Sequence, residues 1–174
     1  MTYKDSITAA MDEMARDPDV CFIGYGIRYG KAMGTLKNVS EAQLIETPVA
    51  ENLMVGLAIG LSLRGKKPVV FIERADFLLN ALDAIVNHLD KIELMSRGQF
   101  QPACILRIVV GNKEKPLFTG ETHTQDFSAG LETMADIPNV RLYFQDNAAS
   151  AFEQAYRMLD FGISTAVWEY KDLY

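Results

Sequence analysis

Cysteine is scarce in this chain, with Cys21 and Cys104 alone among 174 residues. Two thiols cannot build the disulfide framework of a small secreted scaffold, and a single domain of this length buries about two-thirds of its unfolded surface without staples. Both cysteines fall in apolar runs that read as strands, VCFIG and ACILRIVVG, so buried thiols of a reducing compartment, the cytoplasm, are expected. No apolar run reaches the roughly 18 residues of a membrane span. The first residues, MTYKDSITAAMDEMARDP, form an amphipathic pattern with acids rather than a basic leader. Clustered Lys and Arg are lacking as well. A formal net charge of −6 excludes a nucleic-acid surface and leaves small molecules and other proteins as the expected partners. Repeats, low-complexity tracts and linkers are also missing, so residues 1–174 are read as one domain.

What is present is an alternation of helical and strand patterns. Helical spacing is expected over residues 2–16, from Glu51 to Gly65, and over 76–97, 126–136 and 148–160. Strands are expected over 20–24, 44–46, 68–73, 103–111, 140–144 and 164–170, with a loop rich in glycine and lysine over 25–43 and a polar loop over 112–125. Strands apolar on both faces and separated by helices imply the α/β class: three layers, a mostly parallel sheet covered by helices on both faces.

In such a sheet ligands gather beyond the carboxyl ends of the strands, here the loops after Gly24, Glu46, Glu73 and Gly111. Glu51 stands out because ETPVAEN delivers it to the start of the strongly apolar run LMVGLAIGLSLRG. An apolar surround and a helix N-terminus act on a carboxylate in opposite senses, and a group held between them can share a proton with a basic ring nitrogen of a bound cofactor. Glu73, Asp76 and Phe77 follow a second strand, and GETHTQD brings Glu121, His123 and Gln125 to a third. His88 sits mid-helix with Ala84 and Ile92 a turn away on either side, and no role is expected of it.

Two phosphate-binding patterns compete for GYGIRYGKA. A P-loop fails, because the Walker spacing is missing and Ala32 stands where a Ser or Thr would hold magnesium. A dinucleotide (NAD) fingerprint fits loosely through Gly24, Gly26 and Gly30, with Glu46 about 20 residues on. Its weak point is KAMGTLKNVS, which does not read as the helix whose N-terminus should hold a pyrophosphate.

The run from ETPVAEN to MSRGQF resembles the pyrimidine-binding domain of the β subunit of thiamine-diphosphate-dependent 2-oxo acid dehydrogenases, the E1 component. The likeness rests on TP-x-x-E at 47–51, glycines at Gly56 and Gly60, AD-aromatic at 75–77, D-x-IVN at 83–87, K-x-x-x-MS-x-G at 91–98 and THTQ at 122–125. It continues into WEYKDLY and weakens before Leu44 and between Gly111 and Thr119.

The resemblance implies roles residue by residue. Glu51 matches the glutamate that hydrogen-bonds the cofactor's aminopyrimidine and promotes loss of the thiazolium proton. Phe77 matches the aromatic that packs on the pyrimidine, Val49 and Glu73 fall where residues line it, and His123 matches a loop histidine near thiazolium and substrate. Tyr25 and Gly26 replace an acidic pair common in the family, and Glu73 replaces a neutral side chain. The family's GDG motif with its downstream Asn, which holds the diphosphate through Mg2+, does not occur here. The expected assembly is therefore split: thiamine diphosphate bridges this chain and a partner subunit that carries GDG and the metal, in a heterotetramer acting on a 2-oxo acid. A transketolase-like ketol-transfer subunit and a noncatalytic regulatory module are the alternatives. Gly56 and Gly60, four apart on one helix face, mark a close helix contact, either within the chain or between chains.

Overall fold

Successive residues of a strand point to opposite faces, so strands that are apolar at every position must be covered twice. The computed structural model, which describes residues 2–115, 120–144 and 147–174, has this arrangement. Six parallel strands, β1 (Val20–Gly24), β2 (Leu44–Glu46), β3 (Lys67–Ile72), β4 (Ile105–Val110), β5 (Asn139–Leu142) and β6 (Thr165–Tyr170), lie in the order β2-β1-β3-β4-β6-β5. In β3, Val69 and Phe71 enter one core with Ile7, Met11, Phe22 and Phe152, while Val70 and Ile72 enter the other with Met54, Leu78, Leu106 and Trp168. Helices α1 (Tyr3–Met14) and α6 (Ala148–Leu159) cover the first face. Helix α3 (Glu51–Ser62), the segment after β3 and α5 (Ser128–Met134) cover the second. The chain leaves β1 toward β2 on one side and β3 on the other, so the sheet's switch point, where α/β proteins place ligands, lies between β1 and β3.

Local chemistry accounts for several boundaries. Thr2 and Asp5 cap α1 reciprocally: Thr2 Oγ1 accepts from the Asp5 N–H at 3.1 Å, and Asp5 Oδ2 accepts from the Thr2 N–H at 3.0 Å. The loop after β1 contains α2 (Lys31–Gly34), a single turn with positive φ at Lys31, Ala32 and Met33. That geometry is unlike the right-handed helix a dinucleotide fold needs at this point.

The expected continuous helix over 76–97 is replaced by a 3-10 segment (Ala75–Ala81), a π segment (Asp83–Leu89) and the short α4 (Ile92–Met95). The packing explains the change. Ala75, Leu78, Ala81 and Ala84 are all buried, and their spacing of three matches three residues per turn better than 3.6. Asn52 on α3 accepts the Ala84 N–H at 3.0 Å, which fixes the joint between the two segments.

Two charged residues lie inside the sheet. Arg107 on β4 and Glu169 on β6 are fully buried and paired, with Arg107 Nη2 donating to Glu169 Oε2 at 3.0 Å and to the Tyr174 hydroxyl at 3.4 Å. Burial opposes the charge of Arg107, but Glu169 outweighs it and holds the guanidinium protonated. The two cysteines are unpaired and buried, and burial raises Cys21 to about 11 and Cys104 to about 12. No helix among the described residues is long and apolar enough to cross a membrane.

Candidate active site

A cavity of about 250 Å³ opens at the carboxyl ends of the strands and is lined by Tyr25, Val49, Glu51, Met54, Phe71, Glu73, Phe77 and His123. All four loops singled out in the sequence contribute: Tyr25 follows β1, Val49 and Glu51 follow β2, Glu73 and Phe77 follow β3, and His123 lies in the loop after β4. The five residues named for the site, Val49, Glu51, Glu73, Phe77 and His123, are thus brought together although they span 75 positions of chain, counted inclusively from 49 to 123. His88 does not line this cavity; it is exposed and 3.4 Å from Asp83.

Glu51 is the first residue of α3 and only 4% exposed. Thr47–Pro48 keeps the chain extended after β2, with the Thr47 N–H donating to the Gly24 carbonyl at 3.0 Å, so the turn into α3 falls beside the end of β1. The N-cap, Ala50, has no side chain to cap the helix, and Glu51 is the acid nearest the free N–H groups of the first turn. Asn80 Nδ2 donates to Glu51 Oε2 at 3.3 Å; among the described residues Oε1 has no partner. The walls around this carboxylate are apolar: Val49, Met54, Phe71 and Phe77. Gly24 permits the tight floor, because a Cβ there would lie 2.9 Å from the Phe71 carbonyl oxygen. The buried Arg107 guanidinium packs on Phe71, 5.0 Å from the ring centre, and backs that wall.

Phe77 and His123 meet edge to face, with ring centres 5.1 Å apart and planes at 86°. His123 ends the turn Gly120–His123, and its Nδ1 lies 3.1 Å from Thr122 Oγ1. Glu73 adds a second carboxylate, partly exposed and 3.8 Å from Arg74 Nη1. Such a site has one sheltered carboxylate, one imidazole and aromatic walls. It can hold a planar, partly apolar ring and exchange protons with it and with a neighbouring molecule.

Met54, Phe71 and Asn80 were not anticipated, and Tyr25 was noted only as a departure from the resembled family. Met54 was accessible in principle, since it lies three residues from Glu51 and so on the same helix face. Asn80 was hidden by the expected α-helical register. The dinucleotide pattern is contradicted: Glu46 Oε1 and Oε2 accept the Gly26 and Arg28 N–H groups, both at 2.7 Å. The loop amides and the acid that should bind a dinucleotide bind each other instead. Among the described residues Gly56 and Gly60 serve no contact inside the chain, for nothing lies within 4 Å of a Cβ built at either. No group of three or more His, Cys, Asp or Glu among the described residues is placed to hold a metal ion. A larger groove, about 680 Å³, runs between α1 and α6, but its rim is occupied by the exposed pairs Arg16–Glu13 and Arg157–Glu153.

The family model described as transketolase, pyrimidine binding domain, matches residues 1–160. The mitochondrial pyruvate dehydrogenase E1 component subunit beta of Saccharomyces cerevisiae is 30% identical over 163 residues, covering 90% of this chain and 44% of that protein. The corresponding subunit of Ascaris suum is 27% identical over the same shares of each chain. This chain therefore spans less than half the length of these relatives. Among solved structures, a split gene transketolase, described as an inactive beta4 tetramer, superposes with a TM-score of 0.75 at 12% identity, covering 98% of this chain and 52% of that one. That likeness shows the shared fold.

Proposed function

We propose that this chain, which belongs to the transketolase pyrimidine-binding-domain family, is the pyrimidine-domain subunit of a split thiamine-diphosphate enzyme that decarboxylates a 2-oxo acid and transfers the resulting acyl or aldehyde unit. The observation that carries this reading is the convergence of four strand-end loops on one buried carboxylate, Glu51, in an otherwise mostly apolar cavity. The E1 beta relatives support the choice of a 2-oxo acid over other donors.

The residues present fit the cofactor's aminopyrimidine: a flat ring with apolar faces and polar nitrogens at its edge matches aromatic walls and a sheltered carboxylate. Val49 and Phe77 would pack on it, and Glu51 would hold or yield a proton at Oε1, which has no partner among the described residues. Thiamine diphosphate, when bound, would supply a carbon nucleophile and, in its thiazolium ring, an electron sink for decarboxylation. His123, with Nδ1 beside Thr122, would exchange a proton with substrate through Nε2. Phe71 and Met54, nearly fully buried, exclude water behind the carboxylate.

The diphosphate and Mg2+ are assigned to a partner subunit with a GDG motif, in a heterotetramer in which this chain acts as one pyrimidine-binding domain. The unpaired buried thiols favour a cytoplasmic setting. The test is Glu51→Gln in the assembled enzyme, which keeps shape and removes the basic oxygen. Exchange of the cofactor's acidic carbon-bound proton in deuterated water is expected to slow by at least about 100-fold, the scale of lost acid–base catalysis. Exchange at the wild-type rate would reduce Glu51 to a structural residue.

A further inference from the structure

His123 is carried by the short turn Gly120–His123, and its ring meets Phe77 in a defined edge-to-face contact. Two features fix it. Gly111 directly follows β4, and a Cβ built there would fall 1.7 Å from the His123 carbonyl oxygen and 2.8 Å from its carbonyl carbon. No side chain can occupy that space without moving the histidine's backbone. The second feature is Asp76, which is 8% exposed. Its Oδ1 accepts from Gln125 Nε2 at 2.7 Å and its Oδ2 from the Gln125 N–H at 3.4 Å. A nearly buried carboxylate is thus engaged by one residue of the histidine loop, and it adjoins Phe77, the ring that His123 touches.

We propose that Asp76 and Gly111 are the positioning residues of His123. Asp76 anchors the loop from the side of Phe77, and Gly111 seats it against the end of β4. Neither need touch cofactor or substrate; both act through the location of the imidazole. Misplacing a reacting group by about 1 Å can cost about 100-fold in rate, so a catalytic imidazole on a short turn requires such anchors. The inference rests on the reading of His123 as the proton-exchanging group in the proposed function.

Nuclear magnetic resonance of the chain's two histidines separates the two ideas, with exposed His88 as an internal reference. Gly111→Ala is expected to shift the His123 ring resonances while those of His88 stay in place. Asp76→Ala should do the same. Asp76→Asn, which keeps one acceptor for Gln125 Nε2 but sets an NH2 group against the Gln125 N–H, should give a smaller shift. Because both residues act on one loop, Gly111→Ala combined with Asp76→Ala should shift His123 by less than the sum of the single changes. In the assembled enzyme, turnover should fall by up to about 100-fold, while proton exchange at the cofactor persists. Unmoved His123 resonances in folded Gly111→Ala and Asp76→Asn proteins would overturn the positioning role. If His123→Ala leaves turnover unchanged while those resonances move, the catalytic reading of His123 fails and the positioning stands.

Discussion

The two faces of the sheet are finished to different degrees. On one, α6 buries Ala148, Ala151, Phe152 and Ala155 and turns Glu153 and Arg157 to solvent, where they pair with each other. On the other, α3 is apolar almost all round yet buries only Glu51, Met54, Val55 and Ala58. Leu53 is 51% exposed, and Gly56 and Gly60 face open space. A helix that is hydrophobic on every side is normally enclosed on every side. The helix that carries Glu51 is therefore the one whose apolar outer face calls for cover by another chain, whereas α6 turns paired charges to solvent.

The strongest way to break this contrast is to delete one large side chain from each helix. Phe152→Ala removes a fully buried ring from α6 and should cost about 3–5 kcal/mol of the chain's stability in denaturant unfolding. Leu53→Ala on α3 should change it by no more than about 0.5 kcal/mol, as for a surface site. It should instead weaken assembly with the partner, measured by sedimentation. Equal destabilisation by both would mean that α3 is already fully packed within this chain.

A smaller effect sharpens the comparison. Glycine inside a helix costs about 0.5–1 kcal/mol relative to alanine. Since a Cβ at Gly56 or Gly60 meets nothing among the described residues, Gly56→Ala and Gly60→Ala should each stabilise the isolated chain by about that amount. If those glycines exist to admit another helix, the same substitutions should weaken the complex. A gain in both stability and assembly would leave the glycines without a contact role.

Much of the fold was legible because the strands announce themselves as apolar runs and the loops after them can be counted. Glu51 and Phe77 stand five residues past strand ends and His123 thirteen, in the loops the topology points to, so their shared cavity followed from topology and resemblance together. The segment after β3 was not legible in detail, for Leu78, Ala81 and Ile85 satisfy a helical period as well as the mixed 3-10 and π path that packs them. Arg107 and Glu169 each look like an error in an apolar strand, and only their adjacency across β4 and β6 resolves both. Asp76 and Gln125, 49 residues apart, likewise could not be paired from sequence. Contacts of that kind are fixed by packing, which local patterns do not encode.

The central claim is that this chain presents half of a thiamine-diphosphate site, the carboxylate and the ring pocket, and that a partner completes it. Calorimetric titration of thiamine diphosphate with Mg2+ into the purified 174-residue chain tests it most directly. Weak or undetectable binding to the chain alone, becoming tight when a GDG-bearing partner is added, is the predicted result. Tight, magnesium-dependent binding by the chain alone would contradict it.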